Sequence, residues 1–572
     1  MPTKVAPEYP NIVEIRNHMK KPVIAIGLDA GDPVLIDKWI AQGYLKNISK
    51  LRQQGAYANI SNTVKYAGET TEYAVTEGLW AHFATGCSSD KIGYWDALTY
   101  KPENYEIDCN LEFCGYDYQE YSPFYALGDK YKVAVFDVPG TRISEGVNGI
   151  QVLGWGGHFP SAPTASNPPE LLTKITHQYG KNPVLYNDIG IWWDKDYVKW
   201  LRQALKESIS LRTNICCDLL KQESWDLYLT VFGEPHTAGH DIYNYSQSDH
   251  PLYPHLSKNG TVSDPLLETY ENIDLGIGKI LAEAPEDAYI LCFSLHGMGP
   301  NYSDVPSAVF LAEVLYRYNF PGKVAIAPGN VEVPPPPMTT NPIRNSWLGE
   351  MWMKNYEPNP IKRLFRPWTP SKFLYGDQNG LASPYALIEQ SVPFGWMPAT
   401  WYKPLWPQMK AFALPTFANG HIRINLQGRE GDGIVSPSEY ENICNELTQI
   451  LYRLTDARTG KPLVKQVART RKSATDNDPK HPDSDLIVLW HEQMTDVVDS
   501  PDFGRIGPVT LFRAGTHFNR GFFMVKGPGI AAGSSLPDAE SVDLAPTILE
   551  LMGAPIPDYF DGKSLLKIPV KY

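Results

Sequence analysis

Val23–Leu28, VIAIGL, is a continuous apolar run that stops at Asp29-Ala30-Gly31-Asp32. Six apolar residues with no polar alternation read as a strand buried on both faces, as in the centre of a parallel sheet. The loop that ends it carries two carboxylates, and helical patterns follow around Leu35–Ile40 and Leu45–Gln54. Similar runs recur at Val133–Val138, Leu227–Phe232, Tyr289–Phe293, Leu486–Trp490 and Phe522–Val525. Between them lie helical stretches, notably Tyr197–Leu220 and Leu267–Ala284. Strands alternating with helices predict an α/β fold, a sheet sandwiched by helices.

The rhythm breaks between 326 and 475, which holds the proline run Pro334–Pro337, many aromatics and a helical pattern near Tyr440–Leu454. Both flanks return to strand-like patterns. The expected organisation is therefore a core over 20–325, a cap or insertion subdomain over 326–475, and the rest of the core over 476–572. No internal repeat is visible.

Composition narrows the class. The 572 residues are 43% hydrophobic and 20% charged, the balance of a globular protein with a large core rather than a disordered or fibrous chain. The formal net charge of −13 argues against general binding to nucleic-acid polymers or to anionic membranes, while leaving room for a local basic pocket. The seven cysteines, Cys87, Cys109, Cys114, Cys216, Cys217, Cys292 and Cys444, include no Cys-x-x-Cys pair, and a reducing compartment is the simpler reading. The N-terminus lacks the apolar segment of a signal peptide, and no window reaches about 18 consecutive apolar residues. A cytoplasmic protein with no membrane partner is the expectation. The 49 prolines, 33 tyrosines and 15 tryptophans suit long ordered loops, and the aromatics suit a lined cleft or a packed core equally well.

Ligands of an open α/β sheet bind beyond the carboxyl ends of its strands. Asp29 follows VIAIGL there, His236 and His240 follow LYLTVFGEP, and His296 follows YILCFSL. The i, i+4 spacing of His236 and His240 puts both on one face of a helical turn. One such residue is more often a turn former than a ligand, but their recurrence at equivalent positions is informative. Imidazoles with a carboxylate on one edge suit a divalent metal, zinc in particular. The stretch Thr76–Gly86, TEGLWAHFATG, reads as a helix with Thr76 at its start. Thr76 is an N-cap in the plain reading. In the functional one it is a hydroxyl among free N–H groups, poised to attack.

The ordered set GLDAGDP, TEGLWAHFATG, FGEPHTAGH, SLHGMG and GTHFNRGFFMVKGPGI resembles the alkaline phosphatase superfamily, and more closely its type I phosphodiesterase/nucleotide pyrophosphatase branch. The resemblance extends through SVDLAPTILELMGAPIP and the insertion stretch ENICNELTQILYRLTDARTGKPLV. It implies an alkaline phosphatase-like fold, a bimetal site at the sheet edge and a covalent phosphoryl intermediate on a Thr or Ser. Carried over, Asp29 is a metal aspartate, Thr76 the nucleophile, and His240, His296 and His517 metal histidines. This sequence has His236 and Leu295 where the family pattern has aspartates. The resemblance thus implies one metal on His236, His240 and His517. A second, on Asp29, Thr76 and His296, is short of a carboxylate and expected to be weak or empty.

The implied function is metal-dependent hydrolysis of a phosphoester, more a diester than a free monophosphate, acting on a small anionic substrate. A phosphoryl or sulfuryl transferase on the same scaffold, and a non-catalytic ligand-binding relative, are the alternatives. Cys87 invites a sulfatase reading, but the following residues lack the maturation pattern. His82 reads as a packed core residue. Glu234 reads as a loop-shaping residue or a partner of a metal histidine, and Arg520 and Lys526 as strand-flanking or substrate-facing cations.

Overall fold

Val23–Leu28 forms the strand that its apolar run predicts, β1, with all six residues buried. The computed structural model describes residues 21–566 apart from 109–114, 157–163, 186–189, 251–252, 257–262, 334–345, 358, 371–372, 374–378 and 512. The proline run Pro334–Pro337, Cys109, Cys114 and the N-terminal stretch lie outside the described residues.

β1 belongs to a nine-stranded sheet with β2 (Ala56–Ser61), β3 (Val133–Phe136), β4 (Gly149–Leu153), β5 (Ala165–Asn167), β6 (Leu227–Phe232), β7 (Tyr289–Ser294), β8 (Arg520–Lys526) and β9 (Ser534–Ser535). The spatial order is β9-β2-β8-β7-β1-β6-β3-β4-β5. β1 runs parallel to both β6 and β7, and β3 and β4 continue the parallel set. β8 is antiparallel to β7 and to β2, so the sheet is mixed. Parallel strands align their carboxyl ends, and the antiparallel β8 begins at that same edge.

The two faces of β1 enter different cores. Ile24, Ile26 and Leu28 join a cluster with Trp39, Leu201, Leu205, Ile273 and Ile277. Val23 and Ala25 join one with Leu79, Phe83, Leu544 and Ile548. The period-2 alternation of a strand thus meets helices on both sides. Among these helices are α1 (Thr76–Thr85), α2 (Lys195–Leu220), α3 (Glu234–Ile242), α4 (Pro265–Ala282) and α5 (Leu544–Met552). α2 and α4 lie over one face, α1 and α5 over the other. The fold is the expected sheet sandwiched by helices.

One strand sits elsewhere than its sequence suggests. Leu486–Trp490 is not in the large sheet. It pairs with Gly420–Ile424 and Val464–Arg469 in a four-stranded antiparallel sheet that Ala411–Leu414 completes. A central strand of either sheet is buried on both faces, so its apolar run alone cannot say which sheet takes it. The helix Tyr440–Tyr452 packs on this smaller sheet.

Candidate metal centre and nucleophile

The carboxyl ends of β1, β6 and β7 converge at one edge. Asp29 follows β1 directly and is fully buried, and Ala30 beside it adopts a left-handed backbone with φ of 56°. His236 and His240 stand on α3, one turn apart, after β6. His296 lies between β7 and the short strand Gly297–Pro300. That strand pairs with Gly515–Phe518, which sets Met298 opposite His517 and delivers His517 just before β8. Close approach requires two glycines: a Cβ on Gly515 would lie 2.4 Å from the Gly239 carbonyl oxygen, and one on Gly239 would lie 2.5 Å from Met298.

The hydrogen bonds fix the ring tautomers. His236 Nδ1 lies 3.1 Å from Asp29 Oδ2, and His240 Nδ1 lies 2.8 Å from the Gly515 carbonyl. Both partners can only accept, so both Nδ1 atoms donate and both Nε2 atoms present lone pairs. Those Nε2 atoms face one another at 3.1 Å, and His517 Nε2 is 3.0 Å from that of His240. His517 Nδ1 in turn lies 2.9 Å from Thr76 Oγ. His296 is buried with Nε2 3.3 Å from Asp29 Oδ1, yet neither of its ring nitrogens has a hydrogen-bond partner. Trp80 Nε1 donates to Asp29 Oδ1 at 3.1 Å.

Burial alone would raise the Asp29 carboxyl, but the neighbouring imidazoles of His236 and then His296 outweigh it and hold the pKa well below the usual range. Burial pushes His236 down, and His240 and His517 far down, with the Arg513 guanidinium adding to the effect on all three. Asp29 is therefore a carboxylate beside the neutral imidazoles of His236, His240 and His517, the ionisation state that metal ligation needs. Two sets of donor atoms each lie within 4.8 Å of one another: His236, His240 and His517, and Asp29, His236 and His296. These residues fit a divalent ion, because lone pairs 3.1 Å apart repel and a cation among them removes the repulsion.

His236 touches both sets, whereas the sequence reading confined it to one. Thr76 contacts His517 rather than Asp29. It is not the helix cap either: Val75 occupies that position and Thr76 begins the helix. Leu295 is fully buried in the apolar cluster that also holds Trp80, Phe83 and Phe293. Glu234 does not reach a metal histidine; Arg212 Nε and Ser208 Oγ donate to its Oε1 at 2.9 and 2.6 Å. Arg520 pairs with Asp32 at 3.0 Å, and Lys526 donates to Gln54 on the surface. His82 is core, with Nε2 2.7 Å from Ser89 Oγ, and burial pushes it down to about 3. Cys87 is buried and its thiol is pushed up to about 11 by that burial.

Two neighbours escaped the sequence reading. Trp80 lies in TEGLWAHFATG, whose pattern says only that it is a helix begun by Thr76. Arg513, held by Asp304 at 3.1 Å and stacked 4.6 Å from the Phe417 ring centroid, has no local pattern to mark it.

Fold and site together define an α/β protein with a histidine-rich group at the carboxyl edge of its sheet whose donor atoms could hold a metal ion. Residues 124–335 match the family model described as type I phosphodiesterase / nucleotide pyrophosphatase, which is the branch that the sequence motifs resemble. The matched segment contains His236, His240 and His296, and the match supports a phosphoester hydrolase. No curated protein matches the chain. Among solved structures, phosphonoacetate hydrolase from Sinorhizobium meliloti 1021 aligns with a TM-score of 0.45 and 14% identity over 94% of this chain and 96% of that one. Murine ectonucleotide pyrophosphatase/phosphodiesterase 5 aligns with a TM-score of 0.45 and 10% identity over the same shares. Likeness at that level assigns neither substrate nor mechanism. Among the described residues, no helix is long and apolar enough to cross a membrane.

Proposed function

We propose that the chain is a metal-dependent hydrolase of phosphoesters in which Thr76 is the nucleophile. The observation that carries this reading is the contact of Thr76 Oγ with His517 Nδ1 at 2.9 Å, with the other ring nitrogen of His517 in the histidine cluster. A divalent ion, zinc by the chemistry of the donor set, would be held by His236, His240 and His517; His236 has one ring nitrogen free to ligate, so Asp29, His236 and His296 would form an alternative seat rather than a second one filled at the same time. Such an ion supplies Lewis-acid stabilisation of the charge that develops on a phosphoryl oxygen.

The chain's own groups do the rest. His517 holds the Thr76 hydroxyl in one orientation at the start of α1, where the backbone N–H groups of the first turn lack intrahelical partners and favour an anion. Oγ forms a bond to phosphorus as the bond to the leaving oxygen breaks, and the hydroxyl proton ends on that departing oxygen. Water then cleaves the phosphothreonine and restores the hydroxyl.

A cavity of about 560 Å³ is lined by Tyr94, Trp95, Tyr100 and Tyr116, and none of Asp29, Thr76 or the four clustered histidines is among its lining residues, so the proposal does not rest on it.

The test is turnover of a chromogenic phosphodiester. Thr76→Ala is expected to lose roughly 10³-fold or more in kcat, while Thr76→Ser keeps a measurable fraction. Loss of only a few-fold in the alanine variant would mean that water attacks directly, leaving Thr76 as a structural hydroxyl.

A further inference from the structure

An apolar stripe at spacing i, i+3, i+4, i+7 normally faces a core. Here one faces water. Ile361, Leu364, Phe365 and Trp368 follow that spacing and are 59% to 68% exposed. They stand on the helix Pro360–Phe365 and the turn Arg366–Trp368 that continues it. The geometry is fixed from both ends: Asn359 accepts from Ile361 N and Lys362 N, and Arg366 donates to the carbonyl of the buried Trp352 at 2.7 Å. The Phe365 and Trp368 rings lie 6.4 Å apart, and Phe373 beyond them is 59% exposed. Five of the exposed large apolar side chains among the described residues thus fall within 13 positions, 361–373. Clustering of this kind marks a surface that something covers.

Charge selects the occupant. Between Glu357 and Asp377 the sequence has Lys362, Arg363, Arg366 and Lys372 and no acidic residue, in a chain whose net charge is −13. Lys362 and Arg363 are exposed beside the stripe. Bulky aliphatic and aromatic side chains on one face, flanked by basic ones, match the boundary between anionic headgroups and acyl chains. A second copy of this acidic chain is a poorer fit. A stable dimer buries roughly 800 Å² per partner, more than two helical turns present.

We propose that the segment 360–368 docks the protein onto anionic lipid surfaces, lying in the plane of the headgroups rather than spanning the bilayer. The docking is reversible, because so short an apolar face gives weak binding.

The experiment is co-sedimentation of the full chain with phosphatidylcholine vesicles, with and without phosphatidylserine. Binding to the serine-lipid vesicles is expected to exceed binding to phosphatidylcholine alone by at least about fivefold and to fall with added salt. The variant Ile361→Ser/Leu364→Ser/Phe365→Ser/Trp368→Ser should lose about tenfold or more in that binding while its circular dichroism is unchanged. Lys362→Glu/Arg363→Glu should abolish the preference for the anionic lipid. Failure to sediment with either vesicle, or unaltered binding by both variants, would overturn the inference. So would a dimer that the serine variant dissociates in the absence of vesicle binding, which would make the stripe a contact between copies.

Discussion

His240 is the residue on which the candidate site turns, because its Nε2 meets those of both His236 and His517 while its Nδ1 is committed to the Gly515 carbonyl. Its ring orientation is therefore set by backbone, and the lone pair it offers is fixed in direction. His240→Ala is expected to cut zinc bound by the purified protein to less than about a tenth, with the fold retained. His236→Ala and His517→Ala should do likewise. Retention of full metal content by all three variants, measured by elemental analysis, would dissolve the cluster assignment. Much of this centre was legible residue by residue. Asp29, His236, His240 and His296 each follow an apolar strand, so reading the strand ends finds them. His517 precedes the apolar strand β8 instead of following one, and it is visible only through the motif resemblance. The bond from Trp80 to Asp29 spans 51 positions and that from Thr76 to His517 spans 441. Contacts of that length are made by packing and leave no trace in local spacing. The departure at Leu295 was legible as a missing carboxylate. That its side chain belongs to an apolar cluster was not, since an apolar letter does not say which way it points.

At the scale of elements, the histidines depend on how α3 is seated. Glu234 opens that helix and is fully buried against Arg212 of α2, which also reaches Asp137 at 2.8 Å just after β3. Ser208, one turn before Arg212, completes the grip on Glu234. Two carboxylates on one guanidinium, all buried, tie α2, α3 and the end of β3 together. Breaking such a network by removing one partner leaves uncompensated charge and costs about 3–5 kcal/mol. Arg212→Met should lower the thermal midpoint markedly and weaken metal binding, although no metal donor is changed. Arg212→Met combined with Glu234→Gln should recover part of both losses. An unchanged midpoint in the single variant would show that α3 is seated by its apolar contacts alone. The sequence told the existence and type of α3 and its neighbouring strands well, because strand runs and helical periods are local. It did not tell their sheet membership: Leu486–Trp490 carries the same signature as β6 yet closes the smaller sheet. Nor did Glu234 announce its partner, which lies 22 positions back on a helix whose polar residues read as solvated.

The molecule as a whole buries titratable groups of opposite sign of effect, and its response to acid is their balance. His250 and His421 are pushed down to about 4 and His82 to about 3, in each case first by burial. Their stability contribution is complete above the unfolded-state value near 6.5 and is lost as pH falls below it, by about 2 kcal/mol each at pH 5. Asp96 and Asp241 act the other way. Burial and then Glu77 push Asp96 up to about 7, and burial pushes Asp241 up to about 6. Keeping such a carboxyl protonated in the fold costs nothing below about pH 4, where the unfolded chain is protonated too. The cost grows as pH rises towards the folded value and is constant above it. Asp96 is the sharper test, because its carboxylate faces Glu77 and Asp483. Asp96→Asn should therefore stabilise the protein at pH 8, by about 1–2 kcal/mol once its partial exposure is discounted, and by nothing measurable at pH 4. As pH falls from 8 to 5 the variant should lose stability more steeply than the parent, since it lacks the compensating gain from protonating Asp96. Thermal midpoints of both proteins at pH 4, 5 and 8, in one buffer series at fixed ionic strength, decide the matter. Equal midpoint differences at pH 4 and pH 8 would mean that Asp96 ionises in the fold as it does in water.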